Sequence, residues 1–270
     1  MNRRVAMGKI FEVEIRSKGA GYSMKEPHSH DYYELFFLLE GRRRFFLQNS
    51  MILLEPRTFC VIPPFYIHKT EGESSFLRIN VNVSASLLTK EEISFLDACA
   101  KKQALKLDGE VCELCLRILE EASKLQWEWN NKDEYKFALT KTLLYFLQKQ
   151  NLNAVSVKAS SDSSHAVDVL MLKMASYINE NYQSDITLKA LCEQFFLSKS
   201  TLCERFKRTM NCSIMEYLFR VRISKAREFL VMTEKSMEEI SELCGFSSAN
   251  YFGLVFKKAT GLSPLHYRRR

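Results

Sequence analysis

The sequence predicts an α+β fold in which a β-barrel is followed by a helical segment and then by an all-α domain with two helix-turn-helix units. Three observations predict this fold. Short aromatic and apolar runs separated by turn residues occupy residues 1–86, apolar residues recur at helical spacing after residue 87, and one C-terminal segment occurs twice. Of the 270 residues, 46% are apolar and 26% charged, which suits globular domains with sizeable cores.

Residues 1–86 have the pattern of a small antiparallel barrel, because each apolar run is only long enough for one strand. The runs are Tyr32–Leu39, Arg44–Leu47, Met51–Leu54, Phe59–Ile62 and Phe76–Val83. In the last run Arg78, Asn80 and Asn82 share one face, since successive side chains of a strand alternate. That polar face is either a barrel lining or the solvent side of an edge strand, and the sequence leaves both open.

Residues 87–150 show three stretches with apolar residues at helical spacing, and we expect them to pack on the barrel, to pair two subunits, or both. A homodimer is therefore the expected assembly. Residues 151–166 have little periodicity and are rich in serine, which predicts a linker. Residues 167–270 are helical in pattern throughout.

The C-terminal segment contains an internal repeat, with Ile186–Ser213 as the first copy and Ser236–Ser263 as the second. Each copy predicts a short amphipathic helix, a tight turn and a second helix that begins at a serine N-cap. This is the layout of a helix-turn-helix, whose second helix enters the major groove of DNA. The long helix predicted between the copies, Ser213–Met232, is a rigid spacer between the two units.

The charge distribution supports a nucleic-acid partner. The net charge is +7, and residues 165–270 hold 16 Lys and Arg against 11 Asp and Glu, whereas residues 1–164 hold 23 against 21. The basic excess therefore lies in the helical C-terminal part, as expected of a module that binds double-stranded DNA. The chain starts with mixed charge rather than an apolar segment, so we expect a cytoplasmic protein with no membrane partner.

The repeat resembles the AraC/XylS family of transcription regulators over about 100 residues. The pattern of the second unit in that family appears here at Gly245-Phe246, Tyr251-Phe252, Phe256-Lys257-Lys258, Gly261, Ser263-Pro264 and Tyr267-Arg268. The pattern between the units appears at Arg222, Ala226 and Phe229-Leu230. The resemblance implies a domain that docks both units in adjacent segments of the major groove.

The resemblance and the helix positions together predict a set of DNA-contacting residues. They are Ser198, Lys199, Ser200, Thr201, Glu204, Arg205, Lys207, Arg208, Ser248, Asn250, Tyr251, Lys257 and Lys258. The chain departs from the family at Glu204 and Leu254, where members often have Arg. Glu204 suits a cytosine amino group and Leu254 a thymine methyl, while Arg205 is an alternative source of the missing guanidinium. For Arg222 we favour a structural ion pair over a DNA contact.

The N-terminal part resembles the cupin-type sensor barrels that many members of this family carry. Gly21, His28, His30, Glu34 and Gly41 resemble the first cupin motif, and Pro63–His68 resembles a weakened second one, with Phe65 in place of the usual Gly. Positions 28, 30 and 34 share parity, so one strand face is expected to hold all three. The predicted effector-binding residues are His28, His30, Glu34, His68, Arg78 and Asn80.

The main hypothesis is a sequence-specific transcription regulator, not an enzyme, whose barrel binds a small-molecule effector and which works with RNA polymerase; the sequence leaves activation or repression open. No cofactor is required, but His28, His30, Glu34 and His68 form a donor set that suits a divalent metal. The alternative hypothesis is therefore a metal-dependent cupin enzyme fused to a DNA-binding module. A third, weaker alternative is a structural or RNA-binding role, which lacks a recognisable RNA motif.

Overall fold

The computed structural model describes residues 11–47, 50–72, 74–107, 109–124, 132–150 and 168–269. The predicted linker, 151–166, lies outside these residues. The strands are β1 Phe11–Lys18, β2 Tyr33–Glu40, β3 Arg43–Leu47, β4 Ser50–Leu54, β5 Thr58–Ile62, β6 His68–Glu71, β7 Phe76–Val83 and β8 Leu105–Lys106. All five apolar runs form strands within one residue of the predicted bounds. β1, β6 and β8 are additional strands that we did not predict.

In the described part of the chain the strands form two antiparallel sheets. One has the order β1-β7-β2-β5-β8 and the other β4-β3-β6. The register between β1 and β7 runs without interruption from the pair Phe11–Val83 to the pair Lys18–Phe76, whereas that between β2 and β7 shifts between Leu38 and Glu40. The two sheets contribute side chains to one shared core between them, so the N-terminal part is the predicted cupin-like barrel.

The inner core explains why β2 is apolar at almost every position. Phe36 and Leu38 point between the sheets and pack with Phe45 and Ile52, while Leu35 and Phe37 point to the opposite side. A strand that is buried on both faces needs apolar side chains on both, unlike a strand with one solvated face. The continuous run at Tyr33–Leu38 is therefore a consequence of the central place of β2 in its sheet.

The outer face of the five-stranded sheet is covered by three helices, α1 Lys90–Lys101, α2 Gly109–Lys124 and α3 Lys132–Gln148. Leu96, Leu119 and Leu144 are fully buried and pack with the sheet residues Val61 and Val81 in one cluster. α1 begins with a capping box between Thr89 and Glu92. The expectation that this segment packs on the barrel is confirmed, and its role in pairing subunits stays a prediction.

The C-terminal part is all helical, as predicted. Its helices are α4 Val169–Asn181, α5 Leu188–Phe195, α6 Lys199–Met210, α7 Ile214–Met232, α8 Met237–Leu243, α9 Ala249–Thr260 and α10 Pro264–Arg268. α5 with α6 and α8 with α9 are the two helix-turn-helix units. α7 has 19 residues, so it spans about 28 Å at 1.5 Å per residue.

α7 packs against both helix-turn-helix units, with one half of its length against each. Its N-terminal half, with Tyr217 and Leu218, packs with Leu202 and Phe206 of α6. Its C-terminal half packs in a separate cluster that holds Ala226, Leu230, Ile240, Phe252, Phe256 and Tyr267. Because both units are anchored on one helix, a displacement of α7 would move both of them.

The barrel packs directly against the C-terminal part. Phe46 of β3 and Ile67 lie in the same buried cluster as Tyr217 of α7, and the rings of Phe46 and Tyr217 are 6.3 Å apart. The sequence predicts two parts joined by a linker, and it does not predict this contact. None of the described helices is both long enough and apolar enough to cross a membrane.

Candidate DNA-binding surface and sensor site

The first helix-turn-helix presents a polar helix face to solvent. Ser198 is the N-cap of α6, where its side chain accepts a hydrogen bond from the backbone N–H of Thr201 at 3.3 Å. Leu202 and Phe206 are fully buried one turn apart and fix the opposite face of α6 against the core. The predicted residues that are exposed on this unit are Ser198, Lys199, Ser200, Thr201, Glu204, Lys207 and Arg208.

Arg205 lies apart from that exposed face. Its guanidinium donates two hydrogen bonds of 2.7 Å to the carboxylate of Asp168, which also caps α4 by accepting from the N–H of Met171. Burial alone would raise the pKa of Asp168, but the hydrogen bonds from Arg205 and Met171 outweigh it and lower that pKa. In this structure Arg205 joins α6 to α4, a role that differs from the DNA contact we expected.

The second helix-turn-helix repeats this arrangement. Ser248 caps α9 by accepting from the N–H of Tyr251 at 3.2 Å, and Phe252 and Phe256 are fully buried. The exposed predicted residues are Ser248, Asn250, Tyr251, Lys257 and Lys258. Leu254 is 73% exposed, so an apolar side chain stands on the outer face of α9.

Between the N-caps of its two helices, the second unit is one residue longer than the first. The N-caps of the first helices, Thr187 and Ser236, are 49 residues apart, whereas those of the second helices, Ser198 and Ser248, are 50 apart. In each turn one residue has positive φ, Phe196 at 53° in the first unit and Gly245 at 73° in the second. A glycine takes the positive φ in the second unit, and a phenylalanine takes it in the first.

Arg222 has the structural role that we favoured, although its partners are backbone carbonyls rather than a carboxylate. Its Nε donates to the carbonyl of Tyr182 at 2.8 Å and its guanidinium to that of Ser184 at 2.9 Å. Gly245 fits closely beside these groups, since a Cβ there would lie 2.8 Å from the Tyr182 carbonyl oxygen and 3.0 Å from the guanidinium. Arg222 thus ties α7 to the segment that follows α4.

In the barrel, three of the predicted sensor residues converge on one point. His30, Glu34 and His68 are buried, and their ligand atoms all lie within 4.8 Å of one another. Nε2 of His30 and Nε2 of His68 approach the same oxygen, Oε2 of Glu34, at 3.0 and 3.5 Å. The other oxygen, Oε1, accepts a hydrogen bond from the amide of Asn80. We refer to His30, Glu34 and His68 as the sensor cluster.

The hydrogen bonds on the far side of each imidazole determine what the sensor cluster can bind. Nδ1 of His30 contacts the carbonyl of Tyr32 at 2.8 Å, and Nδ1 of His68 contacts that of Tyr66 at 3.0 Å. A carbonyl only accepts, so each Nδ1 carries the hydrogen, and in neutral imidazole each Nε2 then holds a lone pair. Both lone pairs face a carboxylate oxygen, and Nε2 of His68 has no hydrogen-bond partner. A cation between them would satisfy all three groups.

The electrostatics of the sensor cluster also favour a cation as its ligand. Burial lowers the pKa of His30, which favours its neutral form. Burial alone would raise the pKa of Glu34, but the positive charge that His30 or His68 carries when protonated beside the carboxylate holds that pKa well below its usual value. Two imidazoles that donate Nδ1–H to carbonyls and flank one carboxylate form a donor set of the kind that divalent transition metals take.

The remaining sensor residues lie around this cluster. His28 is exposed, and its ring centroid lies 4.3 Å from that of His68. Arg78 is held internally, over the ring of Phe36 and 3.9 Å from carboxylate oxygens of both Glu14 and Glu34. The polar face of β7 is therefore a barrel lining rather than a solvent face. Our expectation that one strand holds residues 28, 30 and 34 is wrong, because β2 begins at Tyr33 and His28 is joined to His68 by an isolated bridge.

A set of polar contacts between the barrel and α7 escaped the sequence analysis. Oγ of Ser224 lies 2.7 Å from the carbonyl oxygen of Phe65 and 2.8 Å from Oγ of Ser29. Arg227 donates to the carbonyl of Ser29 at 3.0 Å and to the hydroxyl of Tyr267, which donates in turn to Asp31. Arg220 pairs with Glu26 and donates to the carbonyl of Pro27. We call these contacts the barrel–α7 interface.

The barrel–α7 interface uses the same chain segment as the sensor cluster. Within residues 26–31, Ser29 and Asp31 contact the C-terminal part, whereas His30 points to the sensor cluster. The parity that placed His28 and His30 together was visible in the sequence. The contacts of Ser29 and Asp31 could not be predicted from the sequence, because their partners in the C-terminal part are about 200 residues away along the chain.

Comparisons with known proteins agree with this architecture. The model of the AraC-like ligand binding domain matches residues 12–146, half of the chain, and that of a helix-turn-helix domain matches residues 191–270. The HTH-type transcriptional activator RhaR of Pectobacterium atrosepticum is 32% identical over 154 residues, 57% of this chain and 53% of that protein. The chain thus spans about half the length of that relative.

Other similar proteins are matched over most of their length. The uncharacterized HTH-type transcriptional regulator YdiP of Escherichia coli is 26% identical over 256 residues, which cover 90% of this chain and 80% of that protein. Among solved structures, ToxT of Vibrio cholerae is 12% identical with a TM-score of 0.37, and covers 96% of this chain and 97% of its own. The chain belongs to the AraC family of transcription regulators, which bind double-stranded DNA and are not enzymes.

Proposed function

We propose that the protein regulates transcription by reading an operator with the exposed faces of α6 and α9, under the control of an effector that binds at the sensor cluster. The observation that carries this proposal is the position of residues 26–31. One side of the segment supplies His30 to the sensor cluster, and the other side supplies Ser29 and Asp31 to the barrel–α7 interface.

The proposed DNA contacts follow from exposure and residue type. Lys207, Arg208, Lys257 and Lys258 lie in the last turns of α6 and α9 and suit phosphate oxygens. Residues of the first turns, with Lys199, Ser200 and Asn250, suit base edges in the major groove. Glu204 and Leu254 take the places of Arg in the family pattern, and they suit a cytosine amino group and a thymine methyl. Arg205 is left out of this set because Asp168 holds it.

The effector that fits the sensor cluster is a divalent transition-metal ion. His30, Glu34 and His68 would hold it through two Nε2 atoms and one carboxylate oxygen, and it would give Nε2 of His68, which has no hydrogen-bond partner, a ligand to bind. Fully buried apolar side chains, among them Phe36, Phe45 and Ile52, also pack in the space between the sheets. His28 is exposed and lies beside this group, with its ring centroid 4.3 Å from that of His68.

The coupling to DNA would pass through α7. A ligand that draws His30 and His68 toward Glu34 has a different affinity for two positions of residues 26–31, which is the condition for shifting a conformational equilibrium. Because α7 anchors both helix-turn-helix units, such a shift changes how α6 and α9 are presented to DNA. We further propose a homodimer that pairs through α2 and α3, action on RNA polymerase, and a cytoplasmic location beside the DNA.

Metal binding and DNA binding measured on the same protein test this proposal. Untagged full-length protein, stripped with chelator, is dialysed against Zn²⁺, Ni²⁺ or Mn²⁺, and bound metal is measured by elemental analysis. We expect about one ion per chain and a changed affinity for a duplex from its own upstream region. His30→Ala should abolish both effects, and His266→Ala, an exposed histidine on α10, should abolish neither. Equal metal contents in both variants would reject the sensor cluster as the site.

A further inference from the structure

Phe196 in the turn of the first helix-turn-helix is both strained and exposed. It is 92% exposed, the highest fraction among the large apolar side chains of the described residues. Its φ of 53° lies in the left-handed region, where the Cβ of an aromatic residue crowds the following carbonyl oxygen. An exposed phenyl ring gains little from the folded state, so neither property stabilises the domain.

In the turn of the second helix-turn-helix, the residue with positive φ is a glycine that is closely packed. Gly245 has the matching positive φ, and a Cβ there would meet the carbonyl oxygen of Gln183 at 2.7 Å. The turn of the first unit opens to solvent instead, so that it accommodates a large side chain at position 196. Glycine or asparagine would adopt this φ with less strain. The phenyl ring therefore needs an explanation outside the fold of the isolated chain.

The place of Phe196 relative to DNA supplies that explanation. It stands two residues before Ser198, the N-cap of α6. In a helix-turn-helix the first helix crosses the DNA backbone and the second enters the major groove by its N-terminus, so the turn between them lies at the edge of the groove. There the apolar surfaces within reach are the deoxyribose rings of one strand.

We propose that Phe196 is a DNA-positioning residue that packs its ring on the deoxyribose backbone at the edge of the groove read by α6. The contact is apolar and independent of base identity. It seats the N-terminus of α6 at a fixed depth, while the exposed lysines of α6 and α9 contact phosphates. The strain at Phe196 is retained because the ring is buried only in the complex.

Three substitutions separate the ring from the strain. Phe196→Ala removes the ring and keeps a side chain at positive φ, Phe196→Gly removes both, and Phe196→Tyr keeps both. We expect Phe196→Ala and Phe196→Gly to weaken binding of full-length protein by about ten-fold, on a specific and on a scrambled duplex alike. The slope of log affinity against log salt should not change, because no phosphate contact is lost. Phe196→Tyr should bind like the parent protein.

Phe196→Gly should weaken DNA binding without lowering thermal stability, because it removes the strain together with the ring. We expect Phe196→Gly to melt at or above the temperature of the parent protein and Phe196→Ala to melt below Phe196→Gly. Val231→Ala, which truncates another exposed apolar side chain of the same domain, should leave DNA affinity unchanged. Unchanged DNA affinity in Phe196→Ala and Phe196→Gly would overturn the proposal. If reporter transcription fell without a change in DNA affinity, the proposal would also be overturned, in favour of a protein partner.

Discussion

Oγ of Ser224, in the middle of α7, lies 2.7 Å from the carbonyl oxygen of Phe65 in the barrel. Ser224 is 3% exposed, so water does not replace this hydrogen bond if it is lost. Phe65 itself has a φ of 66° and donates its N–H to the carbonyl of His30 at 2.6 Å. A single strained residue therefore connects a ligand residue of the sensor cluster to the helix that carries both DNA-reading units.

Replacing Ser224 tests this connection. We expect Ser224→Ala to lower the free energy of unfolding by about 1–3 kcal/mol, because the Phe65 carbonyl is left buried without its donor. It should also reduce the effect of bound metal on DNA affinity, because α7 no longer follows the barrel. Chemical denaturation and duplex titration with and without metal measure the two effects. Ser176→Ala removes a hydroxyl of α4 that bonds only to Glu180 in its own helix, and should change neither quantity.

If Ser224→Ala transmitted the metal signal as well as the parent protein, the barrel–α7 interface would be a packing contact and not the route of the signal. Arg227 provides an independent check, because it contacts the Ser29 carbonyl and Tyr267. Arg227→Met keeps an unbranched apolar side chain at this position and removes the guanidinium, with its hydrogen bonds and its position 5.7 Å from the centroid of the Phe65 ring. It should reproduce the loss of signal seen in Ser224→Ala.

Much of the fold was predictable from local pattern. The five apolar runs became strands because each fills a core position, and the serines at 198 and 248 became N-caps because only such side chains satisfy the free N–H groups of a helix start. β6 was missed because His68–Glu71 is polar in sequence, although His68, Lys69 and Thr70 are buried by contacts with distant elements. A hydrophobicity pattern therefore predicts a strand only where the buried side chains are apolar.

The sensor residues were predicted in part and for a partly wrong reason. His30, Glu34 and His68 do converge, but through a bridge and a loop before β2 and not along one strand. Arg78 was expected to bind the effector, whereas its guanidinium lies 3.9 Å from carboxylate oxygens of Glu14 and Glu34. Pairing partners such as Asp168 for Arg205 depend on how α4 packs on α6, which no local pattern encodes.

The pair of glycines at helix ends gives a prediction with a built-in control. Gly245 and Gly261 both have positive φ, at 73° and 81°. A Cβ at Gly245 would meet the Gln183 carbonyl oxygen at 2.7 Å, whereas a Cβ at Gly261 would meet nothing within 4 Å. Gly261→Ala should therefore destabilise by about 1 kcal/mol, the cost of the left-handed conformation alone.

Gly245→Ala should cost more than 2 kcal/mol, since backbone atoms have to move in addition. Thermal and chemical denaturation of the two variants measure the difference. Equal losses of stability would show that the close approach of Gly245 to the Gln183 carbonyl does not restrict this position.

The ion pair between Asp168 and Arg205 predicts a pH dependence. The folded-state pKa of Asp168 is lowered, so its contribution to stability is present above the unfolded value of about 4 and is lost as pH falls through the folded value. Asp168→Asn retains a capping oxygen for Met171 and removes the charge. The variant should be less stable than the parent protein at pH 7, and the difference should shrink below about pH 4.

Glu204→Gln is the control for the Asp168 experiment, since it removes a carboxylate from the exposed face of α6. We expect little change in stability from it at either pH. Arg205→Gln should resemble Asp168→Asn in stability and should leave the salt dependence of DNA binding unchanged. A reduced salt slope in Arg205→Gln would restore Arg205 to the set of phosphate contacts.

Lysines at equivalent places in the two units should contribute equally to non-specific binding. Lys207 and Lys257 are exposed one residue after the buried anchors Phe206 and Phe256, in the last turns of α6 and α9. Each lysine that meets a phosphate releases about one counterion, so each change to Ala should reduce the salt slope by about 1 and weaken specific and scrambled duplexes alike. The double variant should reduce the slope by about 2, because sites this far apart act independently. If only Lys207→Ala changed the slope, α6 alone would contact the backbone, and the second unit would serve another purpose than docking in an adjacent groove.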